Sequence, residues 1–225
     1  MDFYRTTTFY FFLLAHILTD YPLQTNTVAR WKREKGLVGN FIHASVFVFA
    51  SLALMTVWRP VPGFLKPVIG ATLFICLVHG LLDFWRISYI TRNRALDTMW
   101  TFLADQTLHL LSMAAAIWMF RIPPTAFVAD PRPLLMFNGA LLSAFGATVV
   151  LFYVRNMVDE THRYEMFSPY RRYFHALFAM VYFFLFYQTD AGTLAWFPYI
   201  LVVNLAFNRL IVRHFSGEGE ALFDT

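Results

Sequence analysis

Seven runs of apolar residues divide this chain, separated by short segments rich in Pro, Gly, Arg and Lys. They lie at about 8–24, 40–58, 67–85, 98–120, 134–153, 173–187 and 194–212. Most approach the ~20 residues that a helix needs to cross the hydrocarbon core of a bilayer. Pro60, Pro62 and Gly63, and then Pro123-Pro124, punctuate the pattern as turns. The pattern predicts an all-α, polytopic helical membrane protein of about seven transmembrane helices. Thr6 to Thr8 are placed to cap the first helix, and Pro22 restricts Tyr21, so a distorted last turn is expected.

Composition agrees with this reading. Of the 225 residues, 58% are hydrophobic and 14% charged, against about a quarter charged in soluble domains. The expectation is one integral membrane domain over 1–225, in which 1–120 is a four-helix half and 121–225 a three-helix half with a short cytoplasmic tail. The first run has no A-x-A-like cleavage site and carries His16 and Asp20, so it is read as a lasting helix and not a signal peptide. The single Cys76 excludes an internal disulfide. The net charge of +4 does not indicate nucleic-acid binding, because the basic residues flank apolar runs.

Those basic residues predict orientation. The segments after the first, third and fifth runs carry eleven: Arg30, Lys32, Arg33, Lys35, Arg86, Arg92, Arg94, Arg155, Arg163, Arg171 and Arg172. The alternate segments carry four: Arg59, Lys66, Arg121 and Arg132. The positive-inside rule then puts the N-terminus outside and the C-terminus in the cytoplasm, as expected of a multi-pass protein of the cell's inner (cytoplasmic) membrane.

Against this apolar background stand three His/Asp pairs at helical spacing, His16 with Asp20, His79 with Asp83 and Asp105 with His109, and a fourth imidazole, His43. Residues i and i+4 share a helix face. An aspartate at mid-membrane costs about 2.5–3.5 kcal/mol on insertion scales, less near the interface, so three require compensation. At 1.5 Å per residue, all seven residues fall roughly 5–15 Å below the cytoplasmic boundary, delivered by four helices to one layer. A divalent transition metal is the compensation that suits mixed imidazole and carboxylate ligands: Zn, Mn or Fe, as one ion or two. His16, Asp20, His79, Asp83 and His109 are the expected ligands, with Asp105 and His43 as catalytic groups. Arg86, one turn after Asp83, is placed to grip an anion, and Gln24 and Gln106 to orient a ligand or hold a substrate carbonyl. A purely structural role, with the pairs holding four helices together, is the competing account. Asp159, Glu160, His162 and His175 form a weaker second cluster near the fifth and sixth runs, and Asn204 and Asn208 are read as interhelical hydrogen-bonders.

The ordered set His16-x-x-x-Asp20 with Gln24, His43, His79-x-x-x-Asp83 and Asp105-Gln106-x-x-His109 resembles a family of bacterial multipass membrane proteins known only as a domain of unknown function. The resemblance covers about the first 115 residues. It implies a shared site and supplies no reaction, and members often carry Lys where Arg86 stands. A looser similarity, in the intramembrane His and Asp alone, is to membrane-bound metal-dependent hydrolases.

The expected function is a membrane-embedded metal-dependent hydrolase acting near the cytoplasmic leaflet on a lipid-linked or amphiphilic substrate, which a phosphate would make anionic. A metal-ion or proton transporter using the same cluster is the first alternative, and a bis-histidine haem electron carrier the second. No P-loop, dinucleotide fingerprint, nucleophile elbow or H-E-x-x-H motif is present. The topology is open to direct test. A reporter fused to the N-terminus should be active outside the cytoplasm and one at the C-terminus inside; both ends reporting one compartment would overturn the odd number of spans.

Overall fold

The computed structural model describes residues 7–93, 96–127, 131–142, 145, 149 and 153. The expected sixth and seventh helices, part of the fifth, the cluster from Asp159 to His175, Asn204, Asn208 and the acidic tail lie outside the described residues. The chain forms two compact units, Met1–Asn138 and Gly139–Thr225. The first unit is built from α1 (Thr7–Asp20), α2 (Asn26–Glu34), α3 (Gly36–Val57), α4 (Leu65–Arg92), α5 (Met99–Met119) and the start of α6 (Pro131–Leu141). Among the described residues there is no strand, only an isolated antiparallel bridge between Pro60 and Phe127.

Helix α3 packs against α1, α2 and α4, and α5 closes the bundle against α4 and α1. Its interior is apolar over most of its length. Phe11, Phe12, Phe47, Val68, Ile75 and Met113 are buried there, with Phe11 stacked on Phe127 at 4.1 Å and Phe12 on Phe47 at 6.5 Å. The outside is apolar too: Phe49, Leu73, Leu77, Leu111 and Trp118 are exposed. Large apolar residues outside and buried His and Asp at one end of an otherwise apolar interior set this bundle apart from soluble proteins. Helices α3, of 22 residues, and α4, of 28, are long and apolar enough to cross a membrane. Helix α5 has 21 residues, but Asp105, Gln106, Thr107 and His109 dilute its apolar character.

Local chemistry sets the boundaries. The Thr98 and Thr101 side chains each accept from the other's backbone N–H, at 3.3 and 3.0 Å, in a reciprocal cap at the start of α5. The same helix ends with Ile122 N–H donating to Ile117 O and Arg121 N–H to Trp118 O, a Schellman turn in which Arg121 takes φ 53° where glycine is usual. Helix α1 stops at Asp20, short of the expected Gln24, because a proline at position 22 disfavours helical backbone at Tyr21. Its 14 residues rise only about 21 Å. Thr7 and Thr8 do not cap it. Their hydroxyls donate to Pro124 O at 3.1 Å and Pro123 O at 2.7 Å, tying the start of α1 to the loop after α5.

The basic segment after the first run departs most from expectation. Expected only as a basic segment between the first two spans, it is the amphipathic helix α2, capped by the Thr25 side chain, which accepts from Val28 N–H at 3.3 Å. Gly36, at φ 52°, makes the break into α3. Gly39 then brings α3 so close to the backbone of α2 that a Cβ would overlap the Trp31 carbonyl. Asn40 fastens the pair by donating to Lys32 O at 3.1 Å and Gly36 O at 2.7 Å. Arg86 and Arg92 likewise lie within α4, which runs seven residues past the expected end at 85.

Gly80 provides a contrast, since a Cβ there would meet the Phe41 ring at 3.0 Å and Ala44 Cβ at 3.3 Å. A ring can turn aside and a peptide backbone cannot. Gly39→Ala should therefore cost about 3 kcal/mol or more and Gly80→Ala about 1 kcal/mol or less. Thermal denaturation of the purified variants checks the order, and equal losses would contradict this account of the α2–α3 contact.

Candidate metal centre

Four helices bring the cluster to one end of the bundle. Helices α1 and α4 contribute residues from their C-terminal halves, α3 and α5 from their N-terminal halves, as alternating chain direction requires. Each His/Asp pair therefore faces the same interior, and His43, alone on α3, joins them there. His16, His43, His79, Asp83, Asp105 and His109 are buried, and Asp20 is nearly so.

His79 lies at the centre. Its ring is 4.5 Å from that of His109 and 5.2 Å from those of His16 and His43, and the His16 and His109 rings stack at 5.0 Å. The Nε2 atoms of His43 and His79 lie 3.1 and 3.2 Å from Asp20 Oδ1, and 3.4 and 3.5 Å from Asp83 Oδ2. A tetrahedral ion with ligands at about 2.0–2.1 Å holds them about 3.3–3.4 Å from one another. The four nitrogen–oxygen distances bracket that edge. Only the His43–Asp20 contact has hydrogen-bond alignment, while both ring nitrogens of His79 lack a hydrogen-bond partner. Close approach without alignment is what groups facing a common cation show.

Asp83 looks two ways. Its Oδ2 faces His43 and His79, and its Oδ1 lies 4.0 Å from His109 Nε2. The His109 ring is oriented from behind, with Nδ1 2.8 Å from Asp105 O. A proton on Nδ1, required for that bond, leaves Nε2 with a lone pair directed into the cluster and no hydrogen-bond partner there. His16 has no hydrogen-bond partner on either nitrogen, its nearest carboxylate oxygen being Asp20 Oδ2 at 3.6 Å. Three ligand sets are close enough to hold an ion: His16, Asp20 and His79; His43, His79 and Asp83; and Asp83, Asp105 and His109. They overlap at His79 and Asp83. Imidazole nitrogens without hydrogen-bond partners, buried beside carboxylates, fit a divalent ion, and these buried groups can hold one.

Of the residues expected around the cluster, Gln106 donates to Asp105 Oδ2 at 3.0 Å and so orients a carboxylate. Arg86 lies 3.9 Å from Asp105 Oδ2 and 3.5 Å from Asp97 Oδ1, beside the cluster. Gln24 is not on the helix of Asp20 but in the turn after it, where its Oε1 accepts from Lys32 Nζ at 3.4 Å. His43, expected as a catalytic group, stands in the same position toward Asp20 and Asp83 as His79 does. Geometry makes it as good a ligand as any of the five.

One residue of the site, Lys32, is not singled out by the sequence. Its ammonium reaches from α2 to within 2.6 Å of Asp83 Oδ2, with both side chains nearly buried. In sequence it is one of four closely spaced basic residues, which the positive-inside rule assigns to the interface without distinction. The available signal was the spacing of Val28, Trp31 and Lys32 on one face of a nine-residue helix.

No curated protein and no protein of known structure matches the chain. Residues 8–131 match the family described as protein of unknown function (DUF3307). The matched segment contains every residue of the cluster and covers more than half of the 225-residue chain, so the protein belongs to the DUF3307 family.

Proposed function

We propose that the protein is a membrane-embedded metal-dependent hydrolase acting near the cytoplasmic leaflet on a lipid-linked or amphiphilic substrate. The observation that carries this reading is the set of four buried imidazoles around Asp20, Asp83 and Asp105, with ring nitrogens on His16, His79 and His109 that lack hydrogen-bond partners. A scaffold of hydrogen bonds would pair those nitrogens. In this reading His43, His79, Asp20 and Asp83 hold a first ion of Zn, Mn or Fe, with His16 beside Asp20, and Asp83 and His109 are placed toward a second. Such an ion supplies a water acidified toward neutral pH. Asp105, oriented by Gln106, is the base beside it, and Arg86 holds an anionic group at the mouth.

The membrane setting belongs to the proposal. Helix α4 is about 42 Å long, more than the ~30 Å hydrocarbon core. Exposed Trp85 and Tyr89, stacked at 5.9 Å near its C-terminal end, suit the headgroup region. These features suit a membrane-crossing α4, and the seven spans, the N-terminus outside and the cluster near the cytoplasmic face rest on the apolar runs and the charge bias of the sequence. Transport through the same cluster is less well supported. Away from it the described interior is mostly apolar, filled by Phe11, Phe12, Phe47, Ile75 and Met113, with the uncharged hydroxyls of Ser51, Thr72 and Ser112 among them. A haem is also poorly accommodated, because the four imidazoles crowd one another and leave no slot for a macrocycle.

Elemental analysis after purification from metal-replete cells tests the proposal. Wild type should carry at least one Zn, Mn or Fe per chain. Asp83→Asn should lower that content by about tenfold or more while the protein still inserts. His109→Ala should reduce it as well, and Arg86→Ala should leave it unchanged, since a guanidinium is no ligand. Wild type without a stoichiometric transition metal, or Asp83→Asn that retains it, would refute the reading.

A further inference from the structure

Among the described residues, the three carboxylates of the cluster are matched by two fixed cations, Lys32 and Arg86. Arg86 serves Asp105 and Asp97 from the side of α5. Lys32 serves Asp83, the carboxylate common to two of the three ligand sets. Its position is built. Asn40, itself buried, holds the Lys32 carbonyl, the Gly39 contact presses α2 onto α3, and Gln24 accepts from the ammonium. A lysine meant only for the headgroup region needs none of these contacts.

The same oxygen cannot serve both cations at once. An ion on Asp83 Oδ2 would sit about 2.0–2.2 Å from it, and the ammonium is already 2.6 Å from that atom. A dication and an ammonium on one buried oxygen repel strongly where water is scarce. Lys32 ends in a flexible four-carbon stem and is not wholly buried, so its ammonium can leave Asp83 while α2 stays in place. The carboxylate it leaves, Asp83, lies three residues before Arg86 on α4.

We propose that the Lys32 ammonium is the resident cation of the metal-free site, that a divalent metal displaces it from Asp83, and that the displaced ammonium, with Arg86, then holds a phosphate group of the substrate. The inference rests on the proposed metal site and adds two things to it, an ion exchange and a substrate class. Metal binding would thereby switch on anion binding, so that substrate meets a loaded site.

The chain contains three lysines, and Lys35 and Lys66 are exposed, which supplies internal controls. Full-length wild type in nanodiscs is reductively methylated with and without Zn2+, and dimethylation is read at each lysine by mass spectrometry. Lys32 should be protected without metal and modified about tenfold faster with it, while Lys35 and Lys66 do not change. Lys32→Met should bind Zn2+ about tenfold more tightly, equivalent to ~1.4 kcal/mol, because the competing cation is gone. Zn2+-loaded Lys32→Met should bind phosphate about tenfold more weakly than loaded wild type. Inorganic phosphate and dihexanoyl phosphatidate are titrated separately; the one that shows the loss names a free or a lipid-borne phosphate as the ligand. Zn2+ that binds wild type while Lys32 stays protected overturns the exchange, whatever the variant does. Phosphate and phosphatidate affinities that are both unchanged in Lys32→Met overturn the substrate assignment. Wild type that binds none of Zn2+, Mn2+ and Fe2+ refutes the metal reading itself, a result distinct from either.

Discussion

Burial of three carboxylates among apolar helices is the constraint on which this bundle depends. A charge of that kind needs pairing and hydrogen bonds, and charged or polar partners stand beside each one. Asp20 is bonded to His43 and lies beside His79, Asp83 is ion-paired with Lys32, and Asp105 is held by Gln106 with Arg86 nearby. The helix directions, the short α2 and the Gly39 contact all serve to deliver those partners. Compensation is incomplete all the same, because imidazole nitrogens of His16, His79 and His109 remain without hydrogen-bond partners. The deficit is of the kind a metal fills.

The two-sided use of Asp83 shapes the chemistry available. One oxygen faces His43 and His79 and the other faces His109, so a single carboxylate connects the two halves of the cluster. Asp20 is used similarly, with Oδ1 toward His43 and His79 and Oδ2 toward His16. Carboxylates that bridge in this way are how two ions are kept a few ångströms apart, and such pairs clamp both attacking and leaving oxygens of a phosphoryl centre.

Much of the cluster was legible in the sequence because its signal is local. Spacing of four puts His79 with Asp83 and Asp105 with His109 on shared helix faces, and alternating helix direction puts those faces in one layer. The grouping of all seven residues follows from these two facts. Elements whose placement depends on tertiary contact were not legible. Lys32 is chemically like Arg30 and Arg33, and only the approach of α2 to α3 at Gly39 turns it inward. Gln24 fell out of helical register with Asp20 because Pro22 ended α1 early. His43, with no carboxylate at helical spacing, gave no sign that it would face Asp20 and Asp83 as closely as His79 does.

The threonine clasp at the start of α1 has a consequence for the order of assembly. Thr7 and Thr8 bond to Pro123, Pro124 and Ala126, across 115 to 118 residues of chain. His16 and Asp20 likewise find their neighbours on helices made later. Helix α1 is thus completed only after the chain beyond α5 has been made, since contacts so distant in sequence form late. Until the segment beyond α5 exists, α1 is a helix of 14 residues whose first turn has no clasp. A nascent chain stalled before Pro123 would be the form of this protein most in need of a chaperone.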